Sequence, residues 1–148
     1  MNVWFLDASI LLASEDPDDE HHDDSRLLLT GADPLATLDL AFYEVTNVAV
    51  RSWRDQTAAR RLQSRVTAVA DDAGLVRVDA RLLESATTIA DESGISVYDA
   101  AYVAAARAVS GRLVSCDVHD LVSRGFAVLP RLAVRQPAEA EAPLPDDH

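Results

Sequence analysis

Residues 3–13 read "VWFLDASILLA". A short apolar run of this kind reads as a buried strand, here closing on an acid, Asp7. Ser9 to Ala13 then reads as helix. The same order of strand, acid and helix returns at "RLVSCD" (112–117), followed by a short helix over about 118–124. Two strands that each end in a carboxylate, with a helix after each, already suggest a layered α/β chain whose acids share one edge.

The rest of the chain fills in that plan. Ser25 to Leu29 reads as helix and is broken by "TGADP" (30–34), with Gly31 and Pro34. "LATL" (35–38) reads as a second short strand, and Asp39 as the N-cap of a helix "LAFYEVTNVAVRSW". In that helix Leu40, Tyr43, Val45, Val48 and Trp53 form no single stripe, which predicts burial on more than one side. A further helix covers about 56–72 and ends at Gly74. "LVRVD" (75–79) reads as a strand, and 80–92 as a helix stopped by Gly94. Ser96 caps the helix of "ISVYDAAYVAAARA" (95–108), which runs on to Gly111. "FAVL" (126–129), before Pro130, is a last strand. The predicted class is therefore three-layer α/β/α, with a mostly parallel sheet of about five short strands flanked by helices. The domain is placed at 1–132. The acidic, Pro-rich stretch 133–148 reads as a flexible tail.

Composition narrows the class further. The chain has 148 residues, one cysteine and no lysine, with 49% hydrophobic and 5% aromatic residues. Its core must pack with small aliphatic side chains. No apolar run is long enough to span a membrane. Asp7 interrupts the first apolar stretch, and no basic residue precedes it, so the start does not read as a signal peptide. The lone Cys116 permits no internal disulfide, which fits a cytoplasmic location. The net charge of −12 is unevenly spread. "EDPDDEHHDD" (15–24) holds seven acids and the segment from Gln136 four, leaving 14 acids against 13 arginines elsewhere. Arg51, Arg54, Arg60, Arg61 and Arg65 cluster within 15 residues. That cluster reads either as a solvated helix face or as a phosphate-neutralising surface, with Arg51 and Arg54 the candidates for phosphate contact.

Four acids stand out. Asp7 and Asp117 end strands, while Glu44 and Asp99 lie in the first turns of helices. Strand C-termini and helix N-termini meet at one edge of a parallel sheet, where sites in such folds form. Two carboxylates about 4 Å apart repel by roughly 4 kcal/mol at an effective dielectric of about 20. Four together need protons or a cation. An all-oxygen set suits Mg²⁺ or Mn²⁺, ions that act on phosphate esters. Each acid also has a plain structural reading. Asp7 and Asp117 can cap the helices that follow, as can Asp120. Glu44 can be a surface residue near a helix N-terminus, and Ser96 with Asp99 has capping-box spacing. Taken singly, both readings stand. Taken together, the cost of burying unpaired carboxylates at strand ends favours a shared role.

The strings "FLDASILLA", "LAFYEVTNV", "ISVYDAAYVAAA" and "LVSCDVHDL" resemble, in order, spacing and context, a PIN domain of the VapC toxin ribonuclease type. The resemblance covers roughly residues 1–132. It implies a metal-dependent endoribonuclease whose Asp7, Glu44, Asp99 and Asp117 hold Mg²⁺ or Mn²⁺ and which leaves a 3′-hydroxyl and a 5′-phosphate. It implies supporting roles for Ser9 and Ser115. Asn47, one turn after Glu44, reads either as orienting that carboxylate or as making a simple buried hydrogen bond, and Asp120 can be a fifth, outer acid. The resemblance also implies a small antitoxin protein as partner, a homodimer, and a toxin–antitoxin hetero-oligomer. The alternative is an inactive PIN module that binds RNA or a protein.

Some features depart from that pattern. The two acidic stretches are unusual for an RNA-binding enzyme. His21 and His22 lack a second ligand pair, which argues against zinc. His119 reads as an exposed loop residue and Cys116 as a small core residue. Other α/β families fit less well. A phospho-acceptor receiver domain requires a lysine, and a haloacid-dehalogenase-type phosphatase requires an acid where Ser9 stands.

Overall fold

A computed structural model describes residues 3–135 of the chain. The elements run β1 (Trp4–Leu6), α1 (Ala8–Glu15), α2 (His22–Thr30), β2 (Leu35–Leu38), α3 (Leu40–Arg51), α4 (Gln56–Asp72), β3 (Gly74–Val76), α5 (Ala80–Ser93), α6 (Val97–Ala108), β4 (Arg112–Val114), a π-helical turn (Val118–Val122) and α7 (Pro130–Arg135). The four strands form one sheet in the order β3-β2-β1-β4, every pair parallel. Helices flank it. α6 packs on β2 and β4 and pairs with α5, while α4 packs on β2 and β3 and touches α1 and α3.

Short strands suffice because they are covered on both faces. Trp4, Phe5 and Leu6 are at most 1% exposed, as a continuous apolar run in a parallel sheet should be. α6 carries a long unbroken buried run, Ala100 to Ala106. Its small side chains let the backbone approach the sheet closely, at little cost in helix propensity. Side-chain caps set the helix starts. Asp55 accepts the Ala58 N–H, Asp79 that of Leu82 and Ser96 that of Asp99. Gly94, left-handed at φ 67°, ends α5 where a side chain would be strained.

Several expectations give way. The sheet has four strands, not about five. "FAVL" contributes a single parallel bridge, Val128 to Val114, because Pro130 lacks an N–H and opens α7 at once. β3 stops at Val76 rather than Asp79. The Val78 N–H turns to the Asp39 carboxylate and Asp79 leaves to cap α5. Asp39 therefore does not cap α3. It is already helical at φ −60°, ψ −24°, and its carboxylate faces Val78. β4 stops at Val114 rather than Asp117, since the Cys116 and Asp117 N–H groups go to the Ser9 and Ser115 hydroxyls. The predicted helix over 118–124 is a π-helical turn. α3 buries one row, Ala41, Val45 and Ala49, and Tyr43 is 79% exposed. α7 continues to Arg135 with Ala133 buried, so the fold passes the predicted boundary at 132. The rest of the expected tail lies outside the described residues.

Candidate active site

Asp7 follows β1 and is 5% exposed. It caps α1: its Oδ1 accepts the Ser9 N–H at 3.0 Å and also the Ser9 hydroxyl. The Ser9 hydroxyl oxygen in turn accepts the Cys116 N–H at 2.9 Å and lies 3.5 Å from the Ser115 hydroxyl oxygen. Ser115 accepts the Asp117 N–H at 3.0 Å. The two serines thus tie the end of β1 to the chain leaving β4, and hold Asp7 and Asp117 on the same edge.

Glu44, in the second turn of α3, accepts a hydrogen bond from the Tyr102 hydroxyl at 2.7 Å. Asp99 sits in the first turn of α6, its N–H held by the Ser96 hydroxyl at 3.0 Å. Asp117 caps the π-helical turn by accepting the Asp120 N–H at 3.0 Å. One carboxylate oxygen from each of Asp99, Asp117 and Asp120 lies within 4.8 Å of the others. The capping readings of Asp7 and Asp117 are therefore correct; for Asp117 capping coexists with a place in this cluster, whereas Asp7 and Glu44 lie outside it. A carboxylate has lone pairs to spare after accepting one or two N–H bonds.

The electrostatics run through the whole group. Burial pushes the Asp7 carboxyl up to about 6. The Ser115 and Ser9 hydroxyls favour the charged form, and the charge of Glu44 disfavours it. Burial also raises Glu44, with Tyr102 opposing and Asp99 adding to the rise. Asp99 is raised by burial, then by Asp117 and Asp120, against the Ser96 hydroxyl. Asp7 is thus perturbed by Glu44, Glu44 by Asp99, and Asp99 by Asp117 and Asp120. Among the described residues none of Asp7, Glu44, Asp99 and Asp117 has an ion-pair partner. Acids held in this state are what a cation site requires. The donor set is entirely oxygen and anionic, which fits a hard divalent ion.

The sequence reading missed or misjudged several residues. Tyr102 has a signal in the sequence: a phenol three residues after Asp99, flanked by alanines and a valine, shares its helix face. Asn47 does not do the work expected of it. It is exposed and lines a groove between α3 and α4, while Tyr102 holds Glu44. Asp120, expected only as an outer acid, lies in the cluster with Asp99 and Asp117. His119 is exposed as expected, with its Nδ1 2.7 Å from Asp120. Cys116 is half-buried, and burial pushes its thiol up to about 12, which disfavours the thiolate. Among the arginines, Arg51 and Arg54 are exposed, whereas Arg61 and Arg65 are engaged by Glu15. His21 and His22 form no metal cluster among the described residues.

A family model for the PIN domain matches residues 4–122, most of the chain. The chain belongs to the PIN-domain family. Solved structures share its fold. The PIN domain described here is similar to the VapC20 toxin of Mycobacterium tuberculosis, a sarcin-ricin loop cleaving toxin. The TM-score is 0.68 at 22% identity, over 84% of this chain and 96% of that one. It is similar to PAE2754 of Pyrobaculum aerophilum, with a TM-score of 0.67 at 25% identity over 90% and 88%. VapBC2 of Rickettsia felis, solved with a DNA fragment from its promoter, matches with a TM-score of 0.58 at 15% identity over 86% and 96%. No curated protein matches the sequence. No helix among the described residues is long and apolar enough to cross a membrane.

Proposed function

We propose that this PIN domain is a metal-dependent endoribonuclease, the toxin of a toxin–antitoxin pair, hydrolysing RNA phosphodiester bonds in the cytoplasm. The observation that carries the proposal is the carboxyls of Asp7, Glu44 and Asp99, raised by burial and each facing another acid, with no ion-paired cation on them or on Asp117 among the described residues. Asp7, Glu44, Asp99 and Asp117 would hold Mg²⁺ or Mn²⁺, with Asp120 beside them. Such an ion, when bound, supplies charge stabilisation on the phosphodiester and activation of an attacking water.

The chain's own groups prepare that site. Ser9 and Ser115 fix the Asp7 carboxylate and the approach of Asp117 without supplying a positive charge. Tyr102 fixes Glu44 in the same way. Its hydroxyl is kept protonated by burial and by the Glu44 charge, and so remains a donor. The closely packed α6 brings Asp99 to the edge formed by β1 and β4. Preorganised carboxylates of this kind lose little entropy when a cation and a phosphate arrive.

The likeness to VapC toxins and VapBC complexes supports a small antitoxin as partner, in a hetero-oligomer, with the toxin as a homodimer. The test is RNA cleavage by the purified chain with Mn²⁺, with EDTA, and after Asp7→Asn or Asp99→Asn. Cleavage should require the metal and disappear in both variants while circular dichroism stays native. Metal-independent cleavage that survives both substitutions would sink the proposal. Absence of Mn²⁺ binding in calorimetry would return the chain to the class of inactive binding modules.

A further inference from the structure

We propose that the groove between α3 and α4 holds an unpaired RNA strand leading into the acidic cleft, with a base stacked on Tyr43 and a phosphate on Arg51. This rests on the nuclease reading above and names the form of its substrate and the residues that grip it.

The groove encloses about 690 Å³, and Tyr43, Asn47 and Arg51 of α3 face Gln63 and Thr67 of α4 across it. None of the acids lines it, but α3 carries both the groove and Glu44. Glu44 and Asn47 stand three residues apart and are neighbours on the helix surface. Arg51 lies two turns beyond Glu44 on the same side, about 10 Å along the axis. One row of side chains therefore runs from a carboxylate of the cleft, past an amide, to a guanidinium.

Charge favours a polyanion here. Residues 45–70 contain five arginines and one acid, Asp55. The Asp55 carboxylate is turned to its own helix, accepting the Ala58 N–H at 3.0 Å. Arg61 and Arg65 are bound to Glu15, and Arg51 has no ion pair among the described residues. In a chain of net charge −12 this is the zone where phosphates meet least repulsion.

The remaining side chains suit bases. Tyr43 is 79% exposed, a large ring offering its face to solvent. Bases stack on such rings only when they are not already stacked in a duplex, which selects an unpaired strand. Gln63 donates from its amide nitrogen to the Thr46 hydroxyl at 3.0 Å, which orients its carbonyl oxygen. Together with Asn47, that leaves amide donors and acceptors along the groove for base edges.

The experiment measures binding of a short labelled single-stranded RNA to the full chain carrying Asp7→Asn, by fluorescence anisotropy over a range of salt. Tyr43→Ala should weaken binding about ten-fold or more, and Tyr43→Phe should restore it. Arg51→Gln should weaken binding and lower the salt slope by about one. Arg77→Gln, outside the groove, should change neither quantity. A duplex of the same sequence should bind more weakly than the single strand. Suppose the otherwise wild-type chain cleaves RNA, yet Tyr43→Ala and Arg51→Gln bind with unchanged affinity and salt slope. The groove assignment is then overturned and the nuclease reading stands. Substitutions that alter oligomeric state in sedimentation while sparing RNA affinity would make this face a protein interface, and also overturn it. A wild-type chain that neither binds nor cleaves RNA would overturn both readings together.

Discussion

Asp7 and Glu15 stand at the two ends of the same helix, α1, and both are largely hidden from water. Asp7 is 5% exposed and the Glu15 side chain 8%. Burial alone would raise the Glu15 carboxyl, but Arg65 at 2.6 Å and Arg61 at 3.0 Å more than offset it and hold it below its ordinary value. Asp7 receives only the uncharged Ser9 and Ser115 groups, faces the charge of Glu44, and is raised to about 6. One acid is supplied with cations by its own chain. The other is surrounded by further acids and left without one. That contrast separates a structural carboxylate from one reserved for a ligand, and it joins the acidic stretch 15–24 to the arginine cluster. Glu15, the first residue of that stretch, is where they meet.

The sharpest way to break the comparison is to neutralise each acid in turn. Asp7→Asn should reduce RNA cleavage at least about 100-fold, on the scale of removing one preorganised charge from an active site. In EDTA it should stabilise the fold, by about 1–3 kcal/mol at neutral pH, because a buried unpaired charge disappears. Glu15→Gln should do the reverse. It should cost about 1–3 kcal/mol by stripping Arg61 and Arg65 of their acceptor, with cleavage unchanged. Cleavage assays and thermal melts on the two variants check both statements. A loss of stability in Asp7→Asn would place that residue with the structural acids.

Metal addition should shift the same balance. Mn²⁺ at about 100 times its Kd should stabilise the wild-type chain by about 2.7 kcal/mol, through binding to the folded state alone. Asp7→Asn should lose most of that gain and Glu15→Gln should keep it. Melting curves with and without Mn²⁺ decide this.

Acid titration should then give opposite signs at the two ends of α1. Asp7 has a raised value, so its ionised form costs stability in metal-free protein at pH above about 6. The advantage of Asp7→Asn should therefore fade as pH falls from 6 toward 3.8, where both folded and unfolded chains are protonated. Glu15 has a lowered value, so its contribution is present above its unfolded value of 4.5. The deficit of Glu15→Gln should persist through pH 6 and vanish only as pH drops through the lowered value. Urea denaturation in EDTA across this range would show the two differences closing in different windows.

The sheet edge was legible in the sequence because its signal is local. An apolar run ending in an acid, followed by a helix, marks Asp7 and Asp117, and "ISVYDAA" marks Asp99. What was not legible depends on partners distant in sequence. The Asp39 carboxylate is drawn from α3 to Val78 by the neighbouring strand, and β3 is shortened with it. "FAVL" has strand composition but too little length before Pro130 to hold more than one bridge. The pairing of Glu15 with Arg61 and Arg65 spans 46 and 50 residues, and no periodicity encodes it. Asn47 was assigned to Glu44 from helical spacing alone. Helical spacing fixes which residues share a face of α3, but the partner of that face comes from α6, which supplied Tyr102.

Tyr102 offers the smallest and most discriminating effect. Its hydroxyl gives Glu44 a single hydrogen bond and touches no other acid directly. Tyr102→Phe removes that bond without opening a cavity, so the fold should hold. Cleavage should fall about ten-fold, the lower end for groups that orient a ligand rather than supply one. If Tyr102 acts through Glu44, the loss should not add to that of Glu44→Gln, since the double variant has nothing left to orient. Additive losses in the double-mutant cycle would mean that Tyr102 serves the cleft by another route. It would then resemble neither Ser9, which steadies an acid, nor the arginines of α4, which neutralise one.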